Sequence, residues 1–390
     1  MVGFQLTPSQ QAYAAGVRQV AAVALAPLVA QGQQGRVNRP LLAAMGQHGL
    51  LRDLFGDTGA GDSAADPPRT AAAMQLCLLR ESLAQVSGEA ETALALQGLG
   101  SYPIVLAGRP ETVRQWIPRV ASGVAVAAFA LSEPHAGSDA AALSLRAERD
   151  GDGWRLTGEK LWISNAPDAD VYSVFARTTP GARSRGITAF AVAGDSAGLN
   201  GEHLDMLSPH PIGRLTFDSV WVGKESVLGE VDHGYAVAMR TLDVFRPSVG
   251  AFAIGMAQAA LDATIDYVRE RQVQGGTLAD QQAVRHTIAD LATKLEASRL
   301  LVYAAASAVD GGCDPREQSR RSAMAKLFAT ETAQEIIDSC VQFHGAVALQ
   351  RGHLLEHLYR DVRSLRIYEG ASEIQRTIIA RDVIGKRSPA

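Results

Sequence analysis

The run Ile367-Tyr368-Glu369-Gly370-Ala371-Ser372-Glu373-Ile374-Gln375-Arg376 sets one carboxylate between an aromatic residue and a glycine, just ahead of a predicted helix. The bulky pair Ile367 and Tyr368 before Glu369 is the kind of wall that desolvates a carboxylate and raises its pKa. A carboxylate tuned toward neutrality can remove a weakly acidic C–H proton at physiological pH. Gly370 permits a sharp turn beside it, and Ser372 is placed to cap the helix that follows. Physics alone leaves two readings: a base on a turn, or a helix-start acid complementing the macrodipole. Elsewhere, Ala130-Leu131-Ser132-Glu133-Pro134-His135-Ala136-Gly137-Ser138-Asp139 reads as a strand ending in a loop. Its small residues let the backbone approach a flat ligand, or simply make the transition from strand to loop. In Gly158-Glu159-Lys160-Leu161-Trp162-Ile163-Ser164-Asn165, Trp162 offers a broad aromatic face, for a ring to lie on or for covering a sheet edge.

Two strings suggest chemistry that their surroundings do not support. His353-Leu354-Leu355-Glu356-His357 spells a zinc-peptidase string. Without that wider context it is expected to be a solvated helix end, and no metal is expected. Gly98-Leu99-Gly100 lacks the third glycine and the preceding strand of a dinucleotide fingerprint.

The elements that must hold these residues fall into three zones. Residues 1–120 are rich in Ala, Leu and Gln and read as an N-terminal helical domain, with Leu41, Leu42, Met45 and Leu50 at helical spacing. Gly56 to Asp62 and Asp66-Pro67-Pro68 read as loop. Residues 121–232 change period. The stretches 124–131, 154–156, 171–176 and 187–191 read as strands, and Asp150-Gly151-Asp152-Gly153 as a hairpin turn. This middle β domain is expected to be barrel-like or a sandwich. Residues 233–390 return to helix. Val249 to Ala263 is apolar nearly all round, as for a helix buried in a bundle through its small residues. Two further helices run from about 279 to 310 and from 315 to 343, separated at Gly311-Gly312.

Composition bounds the function. The chain has 390 residues, 47% hydrophobic and 20% charged, with net charge −4 and no long basic run. That argues against nucleic acid or an anionic membrane as a main partner. Cys77, Cys313 and Cys340 are widely spaced and odd in number, so neither a disulfide framework nor a zinc site is read, and a cytoplasmic location is expected. The N-terminus shows no signal-peptide pattern. The Ala-rich stretch from Ala21 to Ala30 is judged too short and interrupted to span a bilayer.

Together, the Tyr359-Arg360-Asp361-Val362-Arg363 run with Ile367 to Gly370, the Ser132 to Asp139 loop and the Gly158 to Asn165 strand resemble the signatures of the acyl-CoA dehydrogenase family. The resemblance runs from about Leu6 to Gly385. It implies an α+β multi-lobe fold: N-terminal α-helical domain, middle β domain and C-terminal four-helix bundle. It also implies FAD as cofactor, an acyl-CoA substrate, an electron-transfer flavoprotein as acceptor, and a homotetramer. Glu369 is then the catalytic base. Leu131, Ser132, Gly137, Ser138, Trp162, Ile163 and Ser164 are expected at the flavin, with Arg271, Gln282, Gln342, Gly345, Ala371 and Glu373 also on FAD. Ser138, Asp243, Arg246, Tyr368 and Gly370 are expected near substrate. Leu242-Asp243-Val244-Phe245-Arg246-Pro247 is expected to open the first bundle helix, with Asp243 and Arg246 equally suited to a plain i,i+3 pair. Some family branches carry their base immediately before this arginine. Phe245 stands there and takes no proton, which leaves Glu369. Phe245 and Tyr368 suggest a compact acyl group, while the stretch from Gly56 to Ser87 is the least family-like lining. Gln274 replaces a usual aromatic after Arg271, and Ala371 a usual Thr. A carrier-protein thioester, a flavin monooxygenase or a nucleic-acid-binding relative of the same fold are the alternatives; the retained Glu369 argues against the second, and net charge against the third.

Overall fold

The computed structural model describes residues 5–55 and 72–385. The predicted loops at Gly56 to Asp62 and Asp66-Pro67-Pro68, and the first part of the Gly56 to Ser87 lining, lie outside the described residues. Helices come first: α1 (Pro8–Val20), α2 (Ala26–Gln31), α3 (Arg39–Gln47), α4 (Ala73–Ala84), α5 (Gly88–Ala107) and α6 (Pro110–Ala121). Strands follow: β1 (Ala127–Ala130), β2 (Arg146–Asp150), β3 (Gly153–Ser164), β4 (Val171–Arg177), β5 (Ile187–Ala193), β6 (Leu199–His203), β7 (Ile212–Gly223) and β8 (Val227–Leu228). Next come α7 (Gly234–Glu270), the short strands β9 (Gln272–Val273) and β10 (Gly276–Thr277), then α8 (Gln282–Asp310), α9 (Pro315–His344), α10 (Leu354–Leu365) and α11 (Ser372–Ile384). The chain divides into two compact units, each drawn from separate stretches. One takes Met1–Ala22, Ala72–Glu91 and Asp243–Ala390; the other takes Val23–Ala71 and Thr92–Leu242.

In the helical unit, α7, α8 and α9 share one apolar core that includes Val249, Met256, Ala260, Leu295, Val302, Ala329 and Ile336. Small residues set the spacing. A side chain at Gly250 would run into Val302 of α8, and one at Gly255 into the Glu81 carbonyl of α4. A buried polar strap ties α4 to α8: Arg299 Nε donates to Glu81 Oε1 at 2.9 Å and the Tyr303 hydroxyl to Oε2 at 2.7 Å. Asp310, at the end of α8, caps α4 by accepting from the Ala73 and Met74 N–H groups. Pro247 does not sit at a helix start as expected. α7 begins at Gly234, so the proline lies inside a 37-residue helix, where it removes one i→i−4 bond. Among the described residues, two helical runs are long and apolar enough to cross a membrane by length and composition, α7 and Pro8–Gln31. The second corrects the expectation of a short, interrupted segment, because α1 and α2 join through a π-helical turn over Ala21–Leu25. α7 is mostly buried, and α1 carries Gln10, Gln11, Arg18 and Gln19 and packs on α4.

In the other unit the strands form one eight-stranded sheet, β6-β7-β3-β2-β4-β5-β8, with β1 joining β4 in parallel. The sheet therefore branches at β4. Asp150 pairs with Gly153 across the predicted turn, closing the β2–β3 hairpin. β4 and β5 are buried on both faces for six residues each, which explains their unbroken apolar runs. α5 lies close on β1: a side chain at Gly100 would collide with the Ala127–Ala128 backbone, and Gln97 bonds both Ala125 O and Ala127 N. Gly98-Leu99-Gly100 is thus a helix-packing surface.

Candidate active site

In the helical unit Glu369 sits at φ +50 and Gly370 at φ +95, so the chain turns through the left-handed region between α10 and α11. Gly370 is favoured there by that angle, and a side chain would also crowd the Gln375 amide. The turn is closed by Ser372 N donating to Arg366 O at 3.1 Å. Ser372 does not cap α11 with its side chain, as expected; Ala371 holds the cap position, and the Ser372 hydroxyl donates to Glu331 Oε1 at 2.6 Å. Nor is Ile367 part of the desolvating wall, since it is 58% exposed. Tyr368 instead packs against the bundle core. Oε2 of Glu369 is buried without a hydrogen-bond partner. Burial raises the Glu369 pKa, opposed by the charges of Arg80, Lys326 and Arg246. A carboxylate so placed is a base whose proton affinity is raised by desolvation and restrained by three cations.

Arg80 and Lys326, and the Glu91 that pairs with Arg80, escaped the sequence reading. Arg80 is buried on α4, bonded to Glu91 through Nε and to Ser248 Oγ at 2.7 Å through Nη1. Lys326 is buried on α9 and donates to Tyr368 O at 3.0 Å and Gly370 O at 2.6 Å. Nothing in single-residue types marks a lysine or arginine as buried, because such residues are mostly exposed. Arg246 is buried and pairs with Asp243, leaving its Nε without a partner. Burial raises the Asp243 pKa against the pull of Arg246. Phe245 is wholly buried. The structure thus brings Asp243, Arg246, Tyr368, Glu369 and Gly370 into one cluster. Ala371 adjoins it, and Glu373 lies exposed on the first turn of α11.

A second group gathers where α7 ends against the end of α9. Tyr267 stacks on His344 with ring centroids 4.0 Å apart. This sets Arg271, one residue past α7, near the level of Gln342 and Gly345. Gln282 opens α8 beyond a two-residue hairpin in which Gln274 and Gly275 both take positive φ. Arg271, Gln282, Gln342 and Gly345 are all exposed. His353 and His357 bind other side chains and backbone: His353 accepts from Leu355 N, and His357 lies 3.1 Å from Asp361 and 3.3 Å from Glu89.

In the sheet unit, Leu161 N donates to Ser132 O at 3.0 Å, joining the loop after β1 to β3. Lys160, wholly buried, donates to Leu131 O at 2.9 Å and to Glu133 at 2.8 Å. Burial pushes the lysine down to about 8, with Glu133 opposing. Glu133 also accepts from Ser144 and Leu145, so the loop is braced from several sides. The β3–β7 register slips between Lys160 and Ile163, and Trp162 takes φ +59 with 46% of its surface exposed. A bulge re-aims a side chain, and left-handed backbone at a tryptophan costs roughly 1–3 kcal/mol. An aromatic face held outward at that cost fits a flat ring ligand. Ile163 is buried and Ser164 half-buried beside it, whereas Gly137 and Ser138 lie on the exposed part of the loop.

Each unit thus carries a feature suited to chemistry: the sheet unit presents an exposed indole, and the helical unit holds a carboxyl oxygen that is buried without a partner among the described residues. Comparison with known proteins says what kind. Family models for the N-terminal, middle and C-terminal domains of acyl-CoA dehydrogenase match residues 7–124, 128–220 and 232–384. The probable acyl-CoA dehydrogenase fadE25 of Mycobacterium leprae is 34% identical over 389 residues, covering 98% of this chain and 97% of that one. The CarC subunit of the caffeyl-CoA reductase-Etf complex of Acetobacterium woodii is 39% identical over 317 residues, covering 80% and 83%. A glutaryl-CoA dehydrogenase from Mycobacterium smegmatis in complex with FADH2 has a TM-score of 0.87 at 26% identity, covering 99% and 97%. The chain belongs to the acyl-CoA dehydrogenase family, as an FAD-dependent oxidoreductase.

Proposed function

We propose that this protein dehydrogenates an acyl-CoA thioester between Cα and Cβ to the trans-2-enoyl product, with Glu369 as the base that removes the α-proton. The observation that carries this is the Glu369 carboxyl, out of water and unpartnered at Oε2, on a turn that no ordinary helix start needs. Bound FAD supplies the hydride acceptor. The chain supplies the rest. Glu369 takes the proton, and its backbone N–H receives the thioester oxygen as negative charge develops there. Leu131, Ser132, Trp162, Ile163 and Ser164 are assigned to the flavin, with Gly137, Ser138, Ala371 and Glu373 at its margins. Arg271 suits a pyrophosphate because its fork can meet two oxygens, with Gln282, Gln342 and Gly345 beside it. Electrons are proposed to leave to an electron-transfer flavoprotein, a reading supported by the Etf complex named for the Acetobacterium relative. A cytoplasmic setting and a homotetramer complete the proposal.

The deciding experiment is Glu369→Gln, which keeps shape and backbone N–H but removes the proton acceptor. Losing a general base costs roughly 10²–10⁴ in rate. Turnover across a panel of acyl-CoA thioesters should fall by at least that range while FAD content stays at the wild-type level. Retention of more than about a tenth of wild-type turnover would assign the base elsewhere. Because burial raises the pKa of Glu369, turnover should fall as pH drops through a value above the usual carboxylate range.

A further inference from the structure

We propose that Lys326 is a positioning residue for this reaction: its buried ammonium fixes the peptide plane that aims the Glu369 N–H and keeps a positive charge beside the Glu369 carboxylate. The inference rests on the reading of Glu369 as the base. Lys326 Nζ donates to Tyr368 O at 3.0 Å and Gly370 O at 2.6 Å, the carbonyls on either side of Glu369. A trans peptide is planar, with its C=O and N–H pointing opposite ways. Drawing Tyr368 O toward α9 therefore turns the Glu369 N–H away from α9. Among the described residues that N–H has no recorded acceptor. Gln375, fully buried on α11, adds a second hold by donating to Gly370 O at 2.9 Å.

The turn needs such a brace. A non-glycine residue in the left-handed region costs roughly 1–2 kcal/mol, and among the described residues Glu369 Oε2 has no hydrogen-bond partner to offset it. Charge-assisted bonds from a buried ammonium are stronger than neutral ones and leave less angular freedom. The electrostatics point the same way. Lys326 is faced by Glu369, Arg246, Glu331 and Glu373, and Glu369 by Arg80, Lys326 and Arg246. Burial pushes Lys326 down to about 8, and Glu369 is the first of the groups that resist this. A donor fixed in place before the thioester oxygen gains charge stabilises that charge without reorganising.

The test separates proton removal from hydride transfer. 3,3-Dimethylbutyryl-CoA has α-hydrogens but none on the β-carbon, so no hydride can leave it. In D2O the holoenzyme should take an α-proton onto Glu369, exchange it with solvent, and return a deuteron to the same carbon, with no net oxidation. Mass spectrometry of the thioester reads the rate. Lys326→Met should slow exchange by about 10²–10³, the usual cost of losing one oxyanion donor, with FAD content unchanged. Its acid limb should move to higher pH, because a cation beside the carboxylate is gone. Lys326→Arg should recover at least tenfold of the loss and leave the acid limb near wild type. Exchange by Lys326→Met within threefold of wild type, with an unmoved acid limb, overturns the proposal. If Lys326→Met does not fold, Lys326→Gln serves: it keeps N–H donors but loses the charge. Its acid limb should rise while exchange above that limb stays within tenfold of wild type; an unmoved limb overturns the proposal. Glu369→Gln is the control. Wild-type exchange by that variant, or no exchange by wild type, sinks the base reading itself. Normal exchange by Lys326→Met beside lost exchange in Glu369→Gln sinks only the role of Lys326.

Discussion

At the scale of residues, the surroundings of Glu369 hold several buried charges. Arg80 and Glu91 are both fully buried and bonded to each other. Burial works against the Arg80 charge, but Glu91 overrides it, and Glu369 adds to the hold. Removing one partner of such a pair leaves an unpaired buried charge, which costs roughly 3–5 kcal/mol, whereas replacing both with apolar groups is often neutral. Arg80→Met should therefore lower unfolding free energy by about 3–5 kcal/mol in urea, and Arg80→Met with Glu91→Leu should recover most of it. The double variant also strips the Arg80 cation from beside Glu369, so its turnover should fall at low pH even where stability returns. Equal stability of the single and double variants would show that the pair is not coupled. None of this was legible in the sequence. Glu369 was, because it stands in a dense local word; Arg80, Glu91 and Lys326 come from distant helices, and only tertiary packing makes them neighbours.

At the scale of elements, legibility followed locality. The Asp150–Gly153 turn and the helices α8 and α9 could be read directly, since turn chemistry and a long 3.6-residue period announce themselves. The β6 and β7 strands went unread because β6 is mostly exposed and β7 alternates only loosely. The start of α7 was missed because Pro247 looks like a first-turn residue and is an interior one. His353-Leu354-Leu355-Glu356-His357 shows the opposite failure, a local word whose meaning is set elsewhere. His357 binds Asp361 within α10 and Glu89 at the start of α5. Hydrogen bonding to Asp361, then to Glu89, raises its pKa to about 10 against the effect of burial. The sign follows from linkage. A group whose folded pKa is raised contributes stability that is fully present below its unfolded value, about 6.5, and is lost as pH rises through the folded value. The melting-temperature gap between wild type and His357→Gln should be widest near pH 6 and close by about pH 11. A gap that is constant across that range would mean the side chain contributes packing alone.

At the scale of the whole molecule, the proposed homotetramer needs a face of the helical unit on which apolar surface can be buried. Within eight residues, Val347, Leu349 and Leu354 are 40%, 71% and 44% exposed, at the junction of α9 and α10. Scattered apolar residues are ordinary on a monomer, so the proposal that this stretch is part of the interface rests on the test below. The exposed Arg271, Gln282, Gln342 and Gly345 lie in the same unit, just past α7, at the start of α8 and at the end of α9. If these polar groups bind a cofactor held partly by another copy, FAD retention must fall whenever assembly fails. Light scattering at micromolar concentration should give a particle of four chains. Leu349→Asp should weaken the association, since a charge on a face meant to bury about 800 Å² per partner is left desolvated and unpaired. The same variant should lose FAD on dilution faster than wild type, and Arg271→Ala should lose it without changing the mass. A wild-type monomer that keeps its flavin through dilution would refute this link between assembly and cofactor. A Leu349→Asp tetramer would place the interface on another face.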